Sequence, residues 1–235
     1  MLDVKPEKAS LFRRLVAELL GTGLLVTVVV GSGIAAESLS PSDVGLQLLE
    51  NSLATVFGLA VLILVFGPVS GAHFNPLVSA VDWLLGRRDN TGLSAREVVA
   101  YGSAQVVGGI LGAVVANVMF DLPAAQIATT DRVSVGHGIG EVVATAGLVL
   151  VIFALARTGR AALSAASVGA YIGAAYWFTS STSFANPAVT VGRMFSDTFA
   201  GIGPGSVPGF IVAQFIGGLI GLVLVAALYP RTEFA

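Results

Sequence analysis

The chain has 235 residues, of which 55% are hydrophobic and only 11% are charged, and its mean hydropathy is +0.87. An ordinary soluble domain carries roughly 25% charged residues, so the composition excludes a soluble domain, and the hydrophobicity excludes a disordered chain. A formal net charge of −2, with no basic run longer than two residues, argues against nucleic-acid binding. The class that remains is an integral membrane protein.

Six apolar stretches are long enough to cross a bilayer, which takes about 20 mostly apolar residues. In chain order they are Leu11–Ile34, Gln47–Val69, Ala95–Phe120, Gly138–Ala156, Ala161–Ser180 and Val207–Tyr229. Two further apolar segments, Asn75–Leu85 and Asn186–Phe195, are too short to span, and each opens with Asn-Pro. The chain therefore has three spans with one short segment after the second, and then the same order again.

The two halves repeat each other in sequence as well as in order. Each half has a glutamate in its first span, an Asn-Pro pair and a glutamine in its third span, at Glu18, Asn75 and Gln105 and again at Glu141, Asn186 and Gln214. Three matches in the same order predict an internal duplication over about 11–120 and 138–229. Because each repeat has three spans, the second repeat is inverted relative to the first.

Positive charges indicate the orientation of the chain. In the inverted arrangement only Arg132 and Arg193 fall on one side of the membrane. The other ten cations fall on the opposite side, namely Lys5, Lys8, Arg13, Arg14, Arg87, Arg88, Arg96, Arg157, Arg160 and Arg231. By the positive-inside rule, we expect both termini in the cytoplasm.

The two Asn-Pro pairs are suited to begin half-helices that re-enter the membrane from opposite sides. Proline at the first helical position, here Pro76 and Pro187, loses no hydrogen bond, and Asn75 and Asn186 can cap the helices with their side-chain oxygens. The two N–H donors of each amide are left to face a cavity on which the positive ends of both helix dipoles converge. Such a site accepts hydroxyl oxygens and repels cations. A single Asn-Pro pair is a common turn, but two pairs in register favour a pore for uncharged solutes.

Three further polar residues near these segments have structural interpretations. Glu18 and Glu141 are intramembrane acids, which point to function by default, but no partners for a proton relay accompany them. We therefore expect each glutamate to accept main-chain N–H groups and to brace the adjoining loop. His73 is interpreted as a hydrogen-bonded residue of the cytoplasmic mouth rather than a metal ligand, with pH gating left open. The sequence indicates no metal site and no cofactor.

Two other function classes are weighed against a passive channel. An ion-coupled secondary transporter needs a titratable or ion-binding cluster at the midplane, and the two asparagines do not titrate. A membrane enzyme needs a nucleophile with its base or a set of metal ligands, and the sequence contains neither; with no cysteine it also has no thiol chemistry. We therefore expect a channel and not an enzyme.

Two segments resemble the motifs of the major intrinsic protein family of aquaporins and aquaglyceroporins: Ser-Gly-Ala-His-Phe-Asn-Pro at 70–76 and Phe-Ala-Asn-Pro-Ala at 184–188. The resemblance covers about Phe12 to Tyr229. It implies an all-α membrane protein, a right-handed bundle of six transmembrane helices plus two re-entrant half-helices, as one channel domain over residues 1–235. It also implies a homotetramer in the lipid bilayer, with a pore in each protomer. The pore midplane is then formed by Asn75, Pro76, Leu77, Asn186, Pro187 and Ala188.

Two departures from the family pattern concern the pore. Leu77 stands where the family usually has alanine, which implies a modest packing change. Most members have an arginine directly after the second Asn-Pro-Ala, whereas this chain has Val189, and Arg193 one helical turn later is not assumed to replace it. By the family's spacing the other positions of the selectivity filter are Thr55, Ala174 and Ser183. All four filter residues are small and neither aromatic nor charged, which implies a wide and less polar mouth.

Valine in place of that arginine is similar to the arsenic-operon branch of bacterial aquaglyceroporins, the aquaporin S type. The resemblance implies a wide-filter channel in a bacterial-type inner membrane for water, glycerol-sized polyols and neutral arsenite, As(OH)3, with methylated arsenicals as a further expectation. Its partners are then small neutral solutes and lipid, and not nucleic acid. The absence of cysteine agrees weakly with arsenite passage, because trivalent arsenic binds thiolates. A conventional water or glycerol channel is the alternative.

Overall fold

The computed structural model describes residues 9–87, 89 and 91–230. Over these residues the chain forms eight α-helices: α1 (Leu11–Leu39), α2 (Val44–Ser70), α3 (Pro76–Gly86), α4 (Ala95–Met119), α5 (Val135–Arg157), α6 (Ser164–Phe178), α7 (Pro187–Gly192) and α8 (Val207–Leu228). Short 3-10 turns, Ala161–Leu163 and Arg193–Phe195, precede α6 and follow α7. Counting the turn before α6, six helices of 18 to 29 residues are apolar enough to cross a membrane, whereas α3 and α7 are too short.

The predicted all-α architecture is confirmed, because each predicted span corresponds to one long helix and each Asn-Pro segment to one half-helix. The largest difference lies at the end of the first span, where α1 continues past Ile34 to Leu39. The polar pair Glu37-Ser38 lowers the hydropathy there but does not break the helix. A boundary based on hydropathy therefore falls short of the helix end.

Helices α1 and α4 pack closely in the first half of the chain, and α5 and α8 pack in the same way in the second half. Glycines allow this approach. A Cβ atom at Gly108 in α4 would lie under 3.0 Å from the carbonyl oxygen of Leu19, and one at Gly217 in α8 would lie 2.5 Å from that of Val142. Small residues are what membrane helices use for close backbone contact. The same contact in both halves is what an internal duplication produces.

The described cations separate between the two ends of the bundle. Arg14 at the start of α1 forms an ion pair with Glu97 at the start of α4. The same end of the bundle also has the other described members of the predicted cytoplasmic group, namely Arg13, Arg87, Arg96, Arg157 and Arg160. Arg132 and Arg193 lie at the opposite end. The remaining members of the group, Lys5, Lys8, Arg88 and Arg231, lie outside the described residues.

Candidate functional site

A cavity of about 250 Å³ lies between the long helices and the two half-helices. Its middle is lined by Asn75 and Asn186, the N-cap residues of α3 and α7. One end, which we call the arginine mouth, is lined by Thr55, Tyr176, Ser183, Val189 and Arg193. The other end, the His73 mouth, is lined by His73, Asp82, Ala156 and Ser164. Much of the remaining lining is aliphatic and comes from α1, α2, α5 and α6, including Leu25, Val29, Leu59, Leu148, Val168 and Ile172.

Local sequence explains how each half-helix begins. The Oδ1 atom of Asn75 accepts the N–H of Leu77 at 3.0 Å. The Oδ1 atom of Asn186 accepts the N–H groups of Ala188 at 2.9 Å and Val189 at 3.3 Å. Each asparagine is followed by proline at the first helical position, which has no N–H to satisfy. The asparagines therefore cap the half-helices with their oxygens and keep their amide nitrogens for other contacts.

The two half-helices are joined end to end through these same asparagines. The Nδ2 atom of Asn75 donates to the carbonyl oxygen of Ala185 at 2.8 Å, and that of Asn186 donates to the carbonyl oxygen of Phe74 at 2.7 Å. The expectation that both N–H donors of each amide face the cavity is corrected by these bonds. One N–H of each amide holds the opposite loop, and one is left for a solute.

The other four residues of the Asn-Pro boxes, Pro76, Leu77, Pro187 and Ala188, are absent from the described lining of the cavity. They directly follow the two asparagines in the half-helices, and their place at the pore midplane stays a prediction. Leu77 packs against α8, where a Cβ atom at Gly218 would lie 2.7 Å from the leucine Cδ1. Gly218 thus makes room for leucine in place of the family's usual alanine.

Glu18 is fully buried and accepts four hydrogen bonds. Its Oε1 atom accepts the hydroxyl of Ser70 at 2.6 Å and the N–H of His73 at 3.0 Å. Its Oε2 atom accepts the N–H of Phe74 at 2.7 Å and the side-chain amide of Gln105 at 2.7 Å. The carboxylate therefore ties the loop before α3 to α1 and α4, which is the bracing geometry that the sequence led us to expect.

Glu141 makes the corresponding set of bonds in the second half. Its Oε1 atom accepts the hydroxyl of Ser181 at 2.7 Å and the N–H of Phe184 at 2.8 Å. Its Oε2 atom accepts the N–H of Ala185 at 2.9 Å and the side-chain amide of Gln214 at 2.7 Å. The two glutamates thus have the same donors, atom for atom, in the two repeats.

Both loops adopt an unusual backbone conformation where they line the cavity. Ala72 and Phe74 before α3 have φ values of 50°, and Ser183 and Ala185 before α7 have φ values of 54° and 48°. Residues other than glycine rarely adopt left-handed values, and they persist there only where the surroundings enforce them. The glutamates supply that enforcement, because the N–H groups of Phe74 and Ala185 both donate to a buried carboxylate.

Three of the four predicted filter residues, Thr55, Ser183 and Val189, line the arginine mouth, and Ala174 does not. Ala174 is exposed on the outer surface of α6, and Tyr176 faces the cavity instead. Two residues along a helix correspond to a rotation of about 200°, so a spacing error of two residues exchanges the inner and outer faces. The expectation of a filter residue at Ala174 is therefore corrected to Tyr176.

Hydroxyl groups give the arginine mouth part of its polarity. The Oγ1 atom of Thr55 donates to the carbonyl oxygen of Asn51 at 2.9 Å and lies 3.1 Å from the hydroxyl of Tyr176. Because the Thr55 proton is used by Asn51, the Tyr176 hydroxyl is the donor to Thr55. The Oγ atom of Ser183 is buried and has no hydrogen-bond partner among the described residues. Ser183 itself is among the residues that line the cavity.

Arg193 also lines this mouth, with only 3% of its surface exposed. Its Nε atom donates to the carbonyl oxygen of Ala200, and its Cζ atom lies 3.5 Å from the centroid of the Phe184 ring. Arg132, in the loop between α4 and α5, lies over the same ring with its Cζ atom at 5.5 Å. Burial lowers the pKa of the Arg132 guanidinium below its usual value. The mouth is therefore neither free of aromatic side chains nor uncharged, contrary to the expectation from the sequence.

The His73 mouth has a different set of polar groups. The Nδ1 atom of His73 lies 3.0 Å from the Ser79 hydroxyl, and its ring packs edge-on against Tyr101 with centroids 5.6 Å apart. Asp82 accepts the N–H of Leu93 through Oδ2 at 2.8 Å. His73 is thus a hydrogen-bonded loop residue at a mouth of the cavity. The described residues contain no group of three or more His, Cys, Asp or Glu side chains that could hold a metal.

Comparison with known proteins agrees with this geometry. The family profile described as Major intrinsic protein matches residues 5–184, which is about three quarters of the chain. The chain belongs to the major intrinsic protein family. Members of this family are channels and not enzymes, so the chain is an integral membrane channel protein, consistent with its six apolar helices. The resemblance given by the two Asn-Pro motifs is confirmed.

Individual proteins of the major intrinsic protein family are similar over nearly the whole chain. Aquaglyceroporin AqpS of Rhizobium meliloti (strain 1021) is 49% identical over 93% of this chain and 91% of its own length. The glycerol uptake facilitator protein of Pseudomonas aeruginosa is 31% identical over 94% of this chain and 91% of its own length. The X-ray structure of the aquaglyceroporin from Plasmodium falciparum has the same fold, with a TM-score of 0.69 at 22% identity over 96% of this chain and all of that one.

Proposed function

We propose that this chain is a passive channel for small uncharged solutes that conducts water, glycerol-sized polyols and neutral arsenite. The observation that carries the proposal is the pair of asparagines in the middle of the cavity, each with one amide N–H left for a solute. The oxygen of water or of a polyol can accept both of these bonds, whereas a cation meets only donors and positive helix ends. The names of two similar proteins, an aquaglyceroporin and a glycerol uptake facilitator, support a polyol as solute.

Passive conduction is favoured by the groups at the midplane. Asn75 and Asn186 do not titrate, so they cannot carry a coupling proton. Glu18 and Glu141 are buried beside the loops, but each is occupied by four hydrogen bonds from the protein. The described midplane therefore offers no free acid for ion coupling, which argues against a secondary transporter.

The size of the solute is proposed from the lining of the cavity. Thr55, Ser183 and Val189 are small, whereas Tyr176 and Phe184 are the large neutral side chains that line the cavity near Arg193. The aliphatic residues of the remaining lining suit the carbon chain of a polyol, while the asparagine amides and the mouth hydroxyls suit its oxygens. A three-carbon polyol satisfies both surfaces at once, so we propose a filter wide enough for glycerol.

The most specific part of the proposal is that neutral arsenite passes through the channel. As(OH)3 is uncharged at neutral pH and displays three hydroxyl groups on a compact centre, as glycerol does on three carbons. The chain has no cysteine that could bind trivalent arsenic as a thiolate. Methylated arsenicals, in which a methyl group replaces a hydroxyl, extend the same proposal. The alternative is a conventional water or glycerol channel that excludes arsenite.

We also propose how the channel sits in the membrane. The six described cations at the His73 end, against two at the arginine mouth, favour a cytoplasmic His73 mouth and cytoplasmic termini in a bacterial-type inner membrane. The long helices have many exposed large hydrophobic side chains, which suit contact with lipid and with other protomers. The family resemblance favours a homotetramer with one pore in each protomer.

The proposal is tested with purified protein in proteoliposomes. Stopped-flow light scattering compares the permeability to water, glycerol and arsenite with that of protein-free vesicles, with and without an imposed proton gradient. The proposal expects all three fluxes to follow the solute gradient alone. Water and glycerol flux without arsenite flux would support the alternative, a conventional channel that excludes arsenite. Accumulation of solute against its gradient when a proton gradient is imposed would establish a transporter.

A further inference from the structure

We infer that Arg193, assisted by Arg132, selects against positive charge in this pore: it repels cations at the arginine mouth and donates hydrogen bonds to the oxygens of neutral solutes. The inference rests on the proposed function and adds a specificity-determining residue to it. Val189 stands directly after the second Asn-Pro-Ala and has no charge. Size and charge are thereby selected by different residues of the same mouth.

Helix geometry brings Arg193 to the pore. It follows Val189 by four residues, and residues four apart lie on the same face of a helix. Although α7 ends at Gly192, the chain continues as the 3-10 turn Arg193–Phe195, so the helical path is maintained. Val189 and Arg193 both line the cavity. The Cα atom of Arg193 therefore lies about one turn beyond that of Val189, and its side chain reaches the same mouth.

Two contacts hold the guanidinium at that point, and a third holds its main chain. Its Nε atom donates to the carbonyl oxygen of Ala200, and its plane lies against the ring of Phe184 with the Cζ atom 3.5 Å from the ring centroid. The carbonyl oxygen of Arg193 accepts the N–H of Ile202 at 3.4 Å. Among the described residues the two terminal nitrogens have no hydrogen-bond partner. They are the groups that remain for a solute in the cavity.

Two guanidinium groups share this mouth. Arg132 donates to the carbonyl oxygens of Gly201 at 2.8 Å and Phe199 at 3.0 Å, which holds a second guanidinium over the same ring. In the described part of the chain neither arginine is in an ion pair. The nearby acids accept bonds from main-chain N–H groups, hydroxyls and, at Glu141, the Gln214 amide instead; these acids are Glu37, Asp131, Glu141 and Asp197.

These groups define the solute that the mouth favours. Arg193 can donate to a solute oxygen through its terminal nitrogens, and the asparagine amides deeper in the cavity can donate to the same solute farther along. A neutral solute with acceptor oxygens gains these bonds. A cation of the same size meets two guanidinium charges, neither of them in an ion pair with a described carboxylate, in a site of low dielectric, where repulsion is several times stronger than in water.

Urea and guanidinium test the inference because they are planar, nearly equal in size and differ in charge. We expect wild-type protein in proteoliposomes to pass urea and to exclude guanidinium. Arg193→Met keeps most of the side chain against Phe184 but removes the charge, and it should raise the guanidinium-to-urea permeability ratio at least about tenfold. Arg193→Lys keeps the charge and should stay near the wild-type ratio. Arg132→Met should give a smaller rise than Arg193→Met.

Arg96→Met is the matched control, since it removes an exposed arginine at the opposite end of the bundle, and it should leave the ratio unchanged. An unchanged ratio in Arg193→Met, or an equal rise in Arg193→Met and Arg193→Lys, would overturn the inference. If Arg193→Met does not assemble, an unchanged ratio in Arg132→Met overturns it. Wild-type protein that passes no urea, glycerol or water would refute the proposed function instead.

Discussion

The side-chain amide of Asn75 donates a hydrogen bond of 2.8 Å to the carbonyl oxygen of Ala185, which lies 110 residues away in the chain and next to the second asparagine box. The side-chain amide of Asn186 donates in the same way to the carbonyl oxygen of Phe74 at 2.7 Å. The two halves of the chain therefore hold each other at the point where we propose that solute passes. The polar groups that face the solute are positioned by the same bonds that hold the fold together.

Replacing Asn75 with aspartate should destabilise this junction. Aspartate has the same shape but no N–H, so the carbonyl oxygen of Ala185 loses its donor and faces a carboxylate; a buried group left unpaired costs about 1–3 kcal/mol. Asn186→Asp should have a similar cost, since its amide makes the equivalent bond. Thermal unfolding in one detergent measures both, with Gln126→Glu at an exposed amide as control. If both box variants had the same melting temperature as the control, the cross-bonds would contribute nothing to stability.

Glutamine at position 18 should destabilise the loop before α3. Glu18 accepts four hydrogen bonds, and glutamine replaces two acceptor positions with an NH2 group that faces other donors. We expect a loss of at least about 2 kcal/mol from unpaired buried donors. Glu37→Gln is the control, because that side chain accepts one bond, from Phe199, at an exposed site. The measurement is again thermal unfolding. Equal melting temperatures of Glu18→Gln and Glu37→Gln would contradict the bracing role.

Alanine at Gly108 should separate α1 from α4. The added Cβ atom would lie under 3.0 Å from the carbonyl oxygen of Leu19, and overpacking of this kind costs about 1–3 kcal/mol. Gly102→Ala, in the same helix, is the matched control, since its Cβ atom would approach only the Cβ of Pro76 at 3.7 Å. The control should be neutral or stabilising by up to about 1 kcal/mol from helix propensity. Unfolding curves that rank the two variants in the opposite order would be incompatible with the packing.

Alanine at Tyr176 should widen the arginine mouth. The tyrosine hydroxyl bonds to Thr55 where both side chains line the cavity, so its removal opens space and frees an acceptor. We expect the permeability to erythritol, a four-carbon polyol, to rise relative to glycerol by about tenfold, equivalent to 1.4 kcal/mol of barrier. Ala174→Val changes the outer face of the same helix and should leave the ratio unchanged. A larger effect at position 174 than at 176 would restore the original filter assignment.

The parts of the fold that depend on local sequence are predictable. Apolar length defines the six spans, and the Asn-Pro pairs define the starts of the half-helices because cap and proline act on their own neighbours in the chain. The repeated Glu18 and Glu141 could be assigned as braces since the duplication places each in the same relation to its loop. These conclusions need no knowledge of how distant helices are rotated.

The features that the sequence did not reveal depend on long-range packing. The rotation of α6 places Tyr176 inside and Ala174 outside, and a motif spacing carried from other proteins cannot fix that rotation. The i+4 relation of Arg193 to Val189 was visible, but its burial depends on Phe184 and on the carbonyl oxygen of Ala200. The sequence also could not show that only one N–H of each asparagine amide is left for a solute, because the other donates to the opposite repeat.

The most direct test of the central claim is the glycerol permeability of wild-type and Val189→Arg protein in proteoliposomes, each relative to its water permeability. We expect wild type to conduct both solutes. In Val189→Arg the glycerol permeability should fall by about tenfold or more, equivalent to about 1.4 kcal/mol of barrier, while the water permeability is retained. Val189→Leu controls for added bulk without charge. Equal glycerol-to-water ratios in wild type and Val189→Arg would contradict the filter, and a wild type without glycerol flux would contradict the channel that we propose.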